Sequence, residues 1–88
     1  MNSAEKKQLK SQAHSLKPVI IVGQSGLSES VLKEINITLD THELIKIKIR
    51  AEKDVRTQIR DQIITETKSE LIQTIGQMIA IYRQNPDK

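Results

Sequence analysis

Residues 18–28 read PVIIVGQSGLS, and how this stretch divides decides the fold. The residue before a proline is pushed out of the helical region, so a helix cannot run through Lys17 and Pro18. Pro-Val-Ile-Ile-Val-Gly is then short, β-branched and apolar on both faces, the pattern of a buried strand. Ser28 is a helix N-cap, and Leu27 before it is placed to pack on Leu32 as a hydrophobic staple. Gly23-Gln24-Ser25-Gly26 therefore joins a strand to a helix. The chain has only three glycines and spends two of them here. Either the pair simply turns the chain, or the backbone is bare so that something can approach it.

Upstream, Ser3 is a candidate N-cap for a helix to about Leu16, with Leu9, Ala13 and Leu16 as its apolar stripe. Downstream, Val31, Leu32, Ile35 and Leu39 give the second helix one apolar face, ending around His42. Leu44 to Arg50 alternates apolar and basic residues, the mark of a strand covered on one face and wet on the other. Asp54 is a candidate cap for a third helix carrying Val55, Ile59 and Ile63. ELIQTIG and MIAIYR form two strands around a hairpin turn at Gly76-Gln77. Asn85 to Lys88 is expected to fray.

The order α-β-α-β-α-β-β predicts an α/β two-layer sandwich with helices on one face of a four-stranded mixed sheet. Its β-α-β steps should join parallel strands and its last strand should return antiparallel. Ile45, Ile47 and Ile49 would face the helices, and Lys46, Lys48 and Arg50 the open side. The chain reads as a single domain over residues 1–88, with a core from about 4 to 84.

The 88 residues are 36% hydrophobic and 28% charged, the composition of a soluble globular chain. No apolar run approaches the roughly 20 residues that span a bilayer, and MNSAEKKQLK has no apolar core of a secretory signal. With no cysteine, disulfides, thiolate metal sites and thiol catalysis are excluded. That fits a cytoplasmic location. Net charge is +3, unevenly spread. Residues 1–18 carry Lys6, Lys7, Lys10 and Lys17 against Glu5, and residues 44–60 carry Lys46, Lys48, Arg50, Lys53, Arg56 and Arg60 against Glu52 and Asp54. Two basic blocks invite a polyanion partner, although a solvated surface is the plain alternative.

Gly23–Gly26 lies at the carboxyl end of a strand and near the amino end of a helix, the edge where α/β sheets bind ligands. Helix N-termini present unpaired N–H groups suited to phosphate, and Gln24 and Ser25 could add side-chain hydrogen bonds. No Lys-Ser/Thr follows Gly26 and no Gly-x-Gly-x-x-Gly is present, so this is neither a Walker loop nor a dinucleotide fingerprint. By itself a Gly-x-x-Gly is more often a turn than a site.

Its neighbours add to it. A parallel second strand would deliver Arg50 and Lys53 to the same edge. The first helix and the strand after it are each about 20 Å long, so antiparallel packing would return Lys6, Lys7 and Lys10 to the loop. At about 100° per residue, Lys6, Lys10, Lys17, His14 and Lys7 all fall on one side of the Leu9/Ala13/Leu16 stripe. Tyr82 is the one aromatic residue, which leaves no base-stacking platform and points to phosphate, sugar and shape recognition, suited to structured RNA.

Four segments, in order and spacing, carry a family resemblance. They are Leu9-Lys10 … Ala13-His14 … Leu16-Lys17-Pro18, then Val22-Gly23-Gln24-Ser25-Gly26-Leu27-Ser28, then Glu43-Leu44-Ile45-Lys46-Ile47, and finally Ile75-Gly76 … Tyr82-Arg83. Over about residues 4–84 the chain resembles the CRM domain (chloroplast RNA splicing and ribosome maturation) in its bacterial single-domain YhbY form. The resemblance implies an RNA-binding domain with a fold similar to the C-terminal domain of translation initiation factor three. It also implies association with ribosomal RNA in precursors of the large ribosomal subunit. It assigns RNA contact to Gly23, Gln24, Ser25 and Gly26 and to the motif lysines Lys10, Lys17 and Lys46; Lys48 and Arg50 follow from strand alternation, and Lys6, Lys7 and Lys53 from the expected packing. One departure stands out: Thr67-Lys68-Ser69-Glu70 replaces a glycine-containing turn after the third helix.

No nucleophile–base–oxyanion set can be assembled, so no enzyme, cofactor or small-molecule substrate is expected. His14 and His42 lie too far apart in sequence, without further spaced ligands, to suggest a metal site. His42-Glu43 points apart at a helix end. His14 is either a phosphate contact or a structural histidine. Tyr82 and Met78 read as packing residues, and Arg83 as either structural or RNA-contacting. The competing function is a protein-interaction module whose basic surface meets an acidic ribosome-associated partner. A monomer is expected, since the charged sheet face demands no covering.

Overall fold

Each expected element forms, in the order α1 (Ser3–His14), β1 (Ile20–Val22), α2 (Glu29–His42), β2 (Leu44–Ile49), α3 (Lys53–Thr67), β3 (Glu70–Ile75) and β4 (Met78–Tyr82). The computed structural model describes residues 2–85. The sheet is four-stranded and mixed, in the order β1-β2-β4-β3. β1 and β2 are parallel, with Ile20 opposite Ile47 and Val22 opposite Ile49. β4 inserts between β2 and β3, antiparallel to both, with Lys46 opposite Ala80 and Ile75 opposite Met78.

The alternation of β2 becomes burial as expected. Ile45, Ile47 and Ile49 join Ile35 and Leu39 of α2, Ile59 and Ile63 of α3, and Ile20, Val22, Ile79 and Ile81 in the main core. Leu27, expected to staple onto Leu32, packs on this core together with Val31. The core is aliphatic throughout, and β-branched residues suit its strands because they pack well on a pleated surface.

The helices do not share one face. Ala13 of α1 is buried against Ile72 and Ala80, with Leu9, Leu44 and Tyr82 packed around them. Leu44 and Lys46 point away from the Ile45/Ile47/Ile49 side, so α1 covers the face opposite to α2 and α3, and the two-layer arrangement is corrected to helices on both faces. The reason lies in β4. Ile79, Ala80 and Ile81 are all buried, so that strand is apolar on both faces and needs cover on both. A bulge between Leu71 and Gln73 helps by turning the extra residue Ile72 into the second cluster.

Other boundaries move for local reasons. Asn2, not Ser3, caps α1, its Oδ1 accepting from the Glu5 amide at 2.8 Å. That helix ends at His14, short of Leu16. Ser28 caps α2 as expected, accepting from the Val31 amide at 3.2 Å. Asp54 lies inside the first turn of α3; Glu52 holds the cap position without a side-chain bond. β1 spans three residues, and Ile21 is exposed rather than buried because α1 packs on β2, β3 and β4 and leaves that face of β1 uncovered. Asn85, expected to fray, is anchored: its amide donates to Glu43 Oε2 and its Nδ2 to the Asp40 carbonyl, both at 2.8 Å. Residues 86–88 of that tail lie outside the described residues.

The turn that replaces the family glycine has a measurable consequence. Lys68, the C-cap of α3, sits in the left-handed region at φ 54° and ψ 41°, a conformation in which a β-carbon crowds the backbone. Lys68→Gly is therefore expected to stabilise the fold by about 0.5–1 kcal/mol, net of the larger backbone entropy of glycine. Thermal denaturation should register this as a rise of a few degrees, roughly 4–8 °C per kcal/mol for a domain of this size.

Candidate nucleic-acid interface

Three connections meet at one end of the sheet. Gly23–Gly26 follows β1, residues 50–52 follow β2, and Gly76-Gln77 joins β3 to β4. The Arg50 amide donates to the Val22 carbonyl at 2.8 Å, and the Ile49 amide to the Gln77 carbonyl at 2.7 Å. Arg50 is thus beside the end of β1 where the glycine turn begins, as the parallel register of β1 and β2 requires, and Lys53 opens α3 three residues further on.

The turn itself is closed by the Gly26 amide donating to the Gly23 carbonyl at 3.1 Å, which leaves Gln24 and Ser25 as its exposed corners. The two glycines have different reasons. Gly26 has φ +96°, a conformation L side chains rarely adopt. Gly23 has neither a left-handed φ nor a crowded Cβ: a β-carbon there would meet nothing within 4 Å. Folding alone does not require glycine at position 23. The helix terminus beyond the turn is partly served already, with Ser28 Oγ on one amide and Glu29 in the first turn. The Gly-x-x-Gly turn and its cations therefore stand out more than the helix end.

Lys46 and Lys48 lie half-buried on the face that α1 partly covers, Lys48 nearer the glycine turn. α1 does not run back along β1. Glu5 shares a depression with Lys68, Glu70, Tyr82 and Gln84, at the end of β4 and the start of β3. This is the opposite end of the sheet from Gly23–Gly26, roughly 17 Å away along β2. The expected return of Lys6, Lys7 and Lys10 to the loop by antiparallel packing is corrected accordingly: α1 lies across the sheet.

Glu5, Gln8 and Gln12 line the depressions toward Tyr82. Lys6 and Lys10 project from the other flank of the Leu9/Ala13 stripe, which borders the uncovered half of the sheet, and Lys7 is further round toward solvent. All three are exposed, as is His14. Lys17 lies past the helix end and shares an open depression of about 540 Å³ with Lys46, Leu16, Val19, His42 and Leu44. The twelve residues singled out in the sequence thus form two groups: Gly23–Gly26, Arg50 and Lys53 at the sheet end, with Lys48 and then Lys46 leading down to Lys17 and the α1 lysines.

Other charged residues are committed to the fold. Arg83 donates from Nη1 to Asn36 Oδ1 at 2.7 Å and the Thr67 carbonyl at 2.8 Å, and from Nη2 to the Asn36 carbonyl at 3.1 Å and Asp40 Oδ1 at 2.8 Å. It ties α2, the end of α3 and β4 together, which decides its role as structural. Arg56 Nη1 donates to the Ala51 carbonyl at 3.1 Å and braces the turn after β2. Arg60 pairs with Asp61 at 3.0 Å. Glu43 Oε2 is taken by the Asn85 amide, and Tyr82 packs beside Leu9. Among the described residues no group of three or more His, Cys, Asp or Glu is placed to hold a metal ion, and no helix is long and apolar enough to cross a membrane.

The sequence reading missed the hairpin turn as a neighbour of the glycine loop, and it missed the exposed aliphatic residues Val19, Ile21 and Ile75. The run at residues 19–22 is apolar at every position, so its pattern does not say which side is covered, and Ile21 is exposed because α1 packs on Ile72, Ala80 and Leu44 and not on β1.

Fold and surface together define a small α/β domain that presents a glycine turn among exposed cations. The sequence profile of the CRS1/YhbY (CRM) domain matches residues 1–83, and the chain belongs to that family. It is 46% identical over 87 residues to the Pseudomonas aeruginosa protein named "Probable RNA-binding protein PA4753", spanning 98% of this chain and 84% of the relative. It is 40% identical over 88 residues to an "RNA-binding protein" of Haemophilus influenzae, spanning 99% and 89%. The solution structure of SAV1595 from Staphylococcus aureus has the same fold, with a TM-score of 0.82 and 35% identity over 96% of this chain and 88% of that one.

Proposed function

We propose that this protein binds structured RNA without catalysing a reaction, gripping the phosphate backbone between the Gly23–Gly26 turn and the adjacent cations Arg50, Lys53, Lys48 and Lys46. Lys6, Lys7, Lys10 and Lys17 extend the same positive surface across α1. The RNA of this reading is ribosomal RNA within large-subunit precursors, and the role is that of an assembly factor. Membership of the CRM family and relatives named as RNA-binding proteins support it.

The observation that carries the reading is Gly23. Neither its backbone conformation nor its surroundings call for glycine, so the missing side chain serves an approach from outside. Gly23→Leu is the test. A β-carbon there meets nothing in the folded state, and the unfolded chain loses freedom, so stability should hold or rise by about 0.4–1 kcal/mol. Affinity for a ribosomal RNA stem-loop should fall at least tenfold, roughly 1.4 kcal/mol. A stable variant that binds RNA as tightly as the parent would refute the turn as the contact. Cellular complexes that survive nuclease treatment would instead favour an acidic protein partner.

A further inference from the structure

The half of the sheet that α1 leaves uncovered is not simply basic. On that face Val19 precedes β1, which presents Ile21; β2 presents Lys46 and Lys48, β4 Met78, and β3 Gln73 and Ile75, while Ala80 of β4 lies buried under Ala13 of α1. Val19, Ile21 and Ile75 are 52%, 53% and 53% exposed. In the row nearest the glycine turn, Ile21, Lys48, Met78 and Ile75 stand side by side across all four strands. The next row is Val19, Lys46, Ala80 and Gln73. Neither row contains an acidic residue, and neither contains an aromatic one. Below them lies the flank of α1 that carries Lys6 and Lys10.

We propose that this floor docks the minor groove of an A-form RNA duplex, with the aliphatic residues against the ribose edges and Lys46 and Lys48 reaching the bordering phosphates. The inference rests on the RNA-binding reading and adds the form of RNA and the means of selecting it. Four strands at about 4.8 Å spacing make a floor about 14 Å across. That is too broad for the minor groove of B-DNA, about 6 Å wide. The A-form minor groove is wide and shallow, and it displays ribose edges and 2′-hydroxyls. Exposed aliphatic side chains suit those edges, whereas unpaired bases would call for the aromatic platforms that the floor lacks. Lys46 and Lys48, long enough to reach past their aliphatic neighbours to the phosphates, supply the charge complementarity.

The test compares the parent with the triple variant Ile21→Thr, Ile75→Thr, Met78→Thr. Threonine keeps strand preference at solvent-facing positions, and the single variants Ile21→Thr and Ile75→Thr serve if the triple unfolds. The probes are a labelled RNA hairpin, a DNA hairpin of the same sequence and an oligouridine, each titrated across a salt series. The parent should prefer the RNA hairpin. The triple variant should lose about tenfold in affinity for it, with an unchanged salt slope because no phosphate contact is removed. An unchanged affinity in the variants, or a parent that prefers oligouridine or the DNA hairpin, overturns the docking surface. If Gly23→Leu loses RNA binding while the aliphatic variants do not, the docking surface falls and the RNA-binding reading stands. A parent that binds no RNA overturns both.

Discussion

Arg83→Ala is expected to destabilise the protein by about 3 kcal/mol, the largest single-residue effect on stability that we anticipate. Four hydrogen bonds leave its guanidinium, and two of them reach acceptors served by no other donor among the described residues: the Asn36 side-chain oxygen and the Thr67 carbonyl at the end of α3. Helix-terminal carbonyls have no partner inside the helix, so removing the donor leaves an acceptor short of its bond. The ion pair with Asp40 matters less, because that side chain is 66% exposed and surface pairs contribute about 0–1 kcal/mol. Asp40→Ala should therefore cost under about 1 kcal/mol, and Arg83→Lys should resemble alanine more than arginine, since one ammonium cannot span these acceptors. Urea denaturation of the three variants checks the ranking. Below its melting transition, Arg83→Ala should bind RNA as the parent does, because the guanidinium is engaged internally.

The largest effect on binding is expected from Lys46→Gln, Lys48→Gln and Arg50→Gln combined. Each neutralised phosphate contact reduces the slope of log affinity against log salt by about 0.7–0.9. Three contacts together correspond to a loss on the order of 100-fold near 0.15 M salt. These side chains are half-buried or exposed and lie on or beyond a strand whose core residues are untouched, so the fold should survive with stability changed by less than about 1 kcal/mol. Equal loss for all RNA sequences is part of the expectation, since phosphate contacts position the nucleic acid and carry no base code. A sequence-dependent loss would place these residues against base edges instead.

What could be read from the sequence was what local rules govern. The alternation of Leu44–Ile49 dictated a half-buried strand, the Pro18 break and Ser28 cap framed β1 and α2, and Gly76 marked the hairpin, where it adopts φ +56°. The position of α1 followed from no local rule. It depends on β4 lying between β2 and β3, which brings Ala80 and Tyr82 onto the same face as Lys46 and creates an apolar patch that the pattern of β2 alone denies. The three successive apolar residues Ile79, Ala80 and Ile81 were the available sign of a strand covered on both faces. The Arg83 network was illegible because its partners lie 16 and 47 residues away in sequence. The cap at Asn2 was missed by one residue, since Asn and Ser are near-equivalent caps. For the candidate site, the parallel β-α-β step was enough to bring Arg50 next to the start of the glycine turn, where its amide donates to the Val22 carbonyl. The expected antiparallel return of the α1 lysines to the loop failed because the helix crosses the sheet to cover Ala80 and Ile72.

The most direct measurement is the affinity of the intact protein for a structured ribosomal RNA fragment across a salt series, with single-stranded RNA and duplex DNA as competitors. Phosphate contacts around the glycine turn predict a slope of log affinity against log salt steeper than about −3, and structured RNA as the strongest competitor. A shallow slope with all three competitors equal would contradict the account, and would mean that the cations beside Gly23–Gly26 are ordinary surface charge.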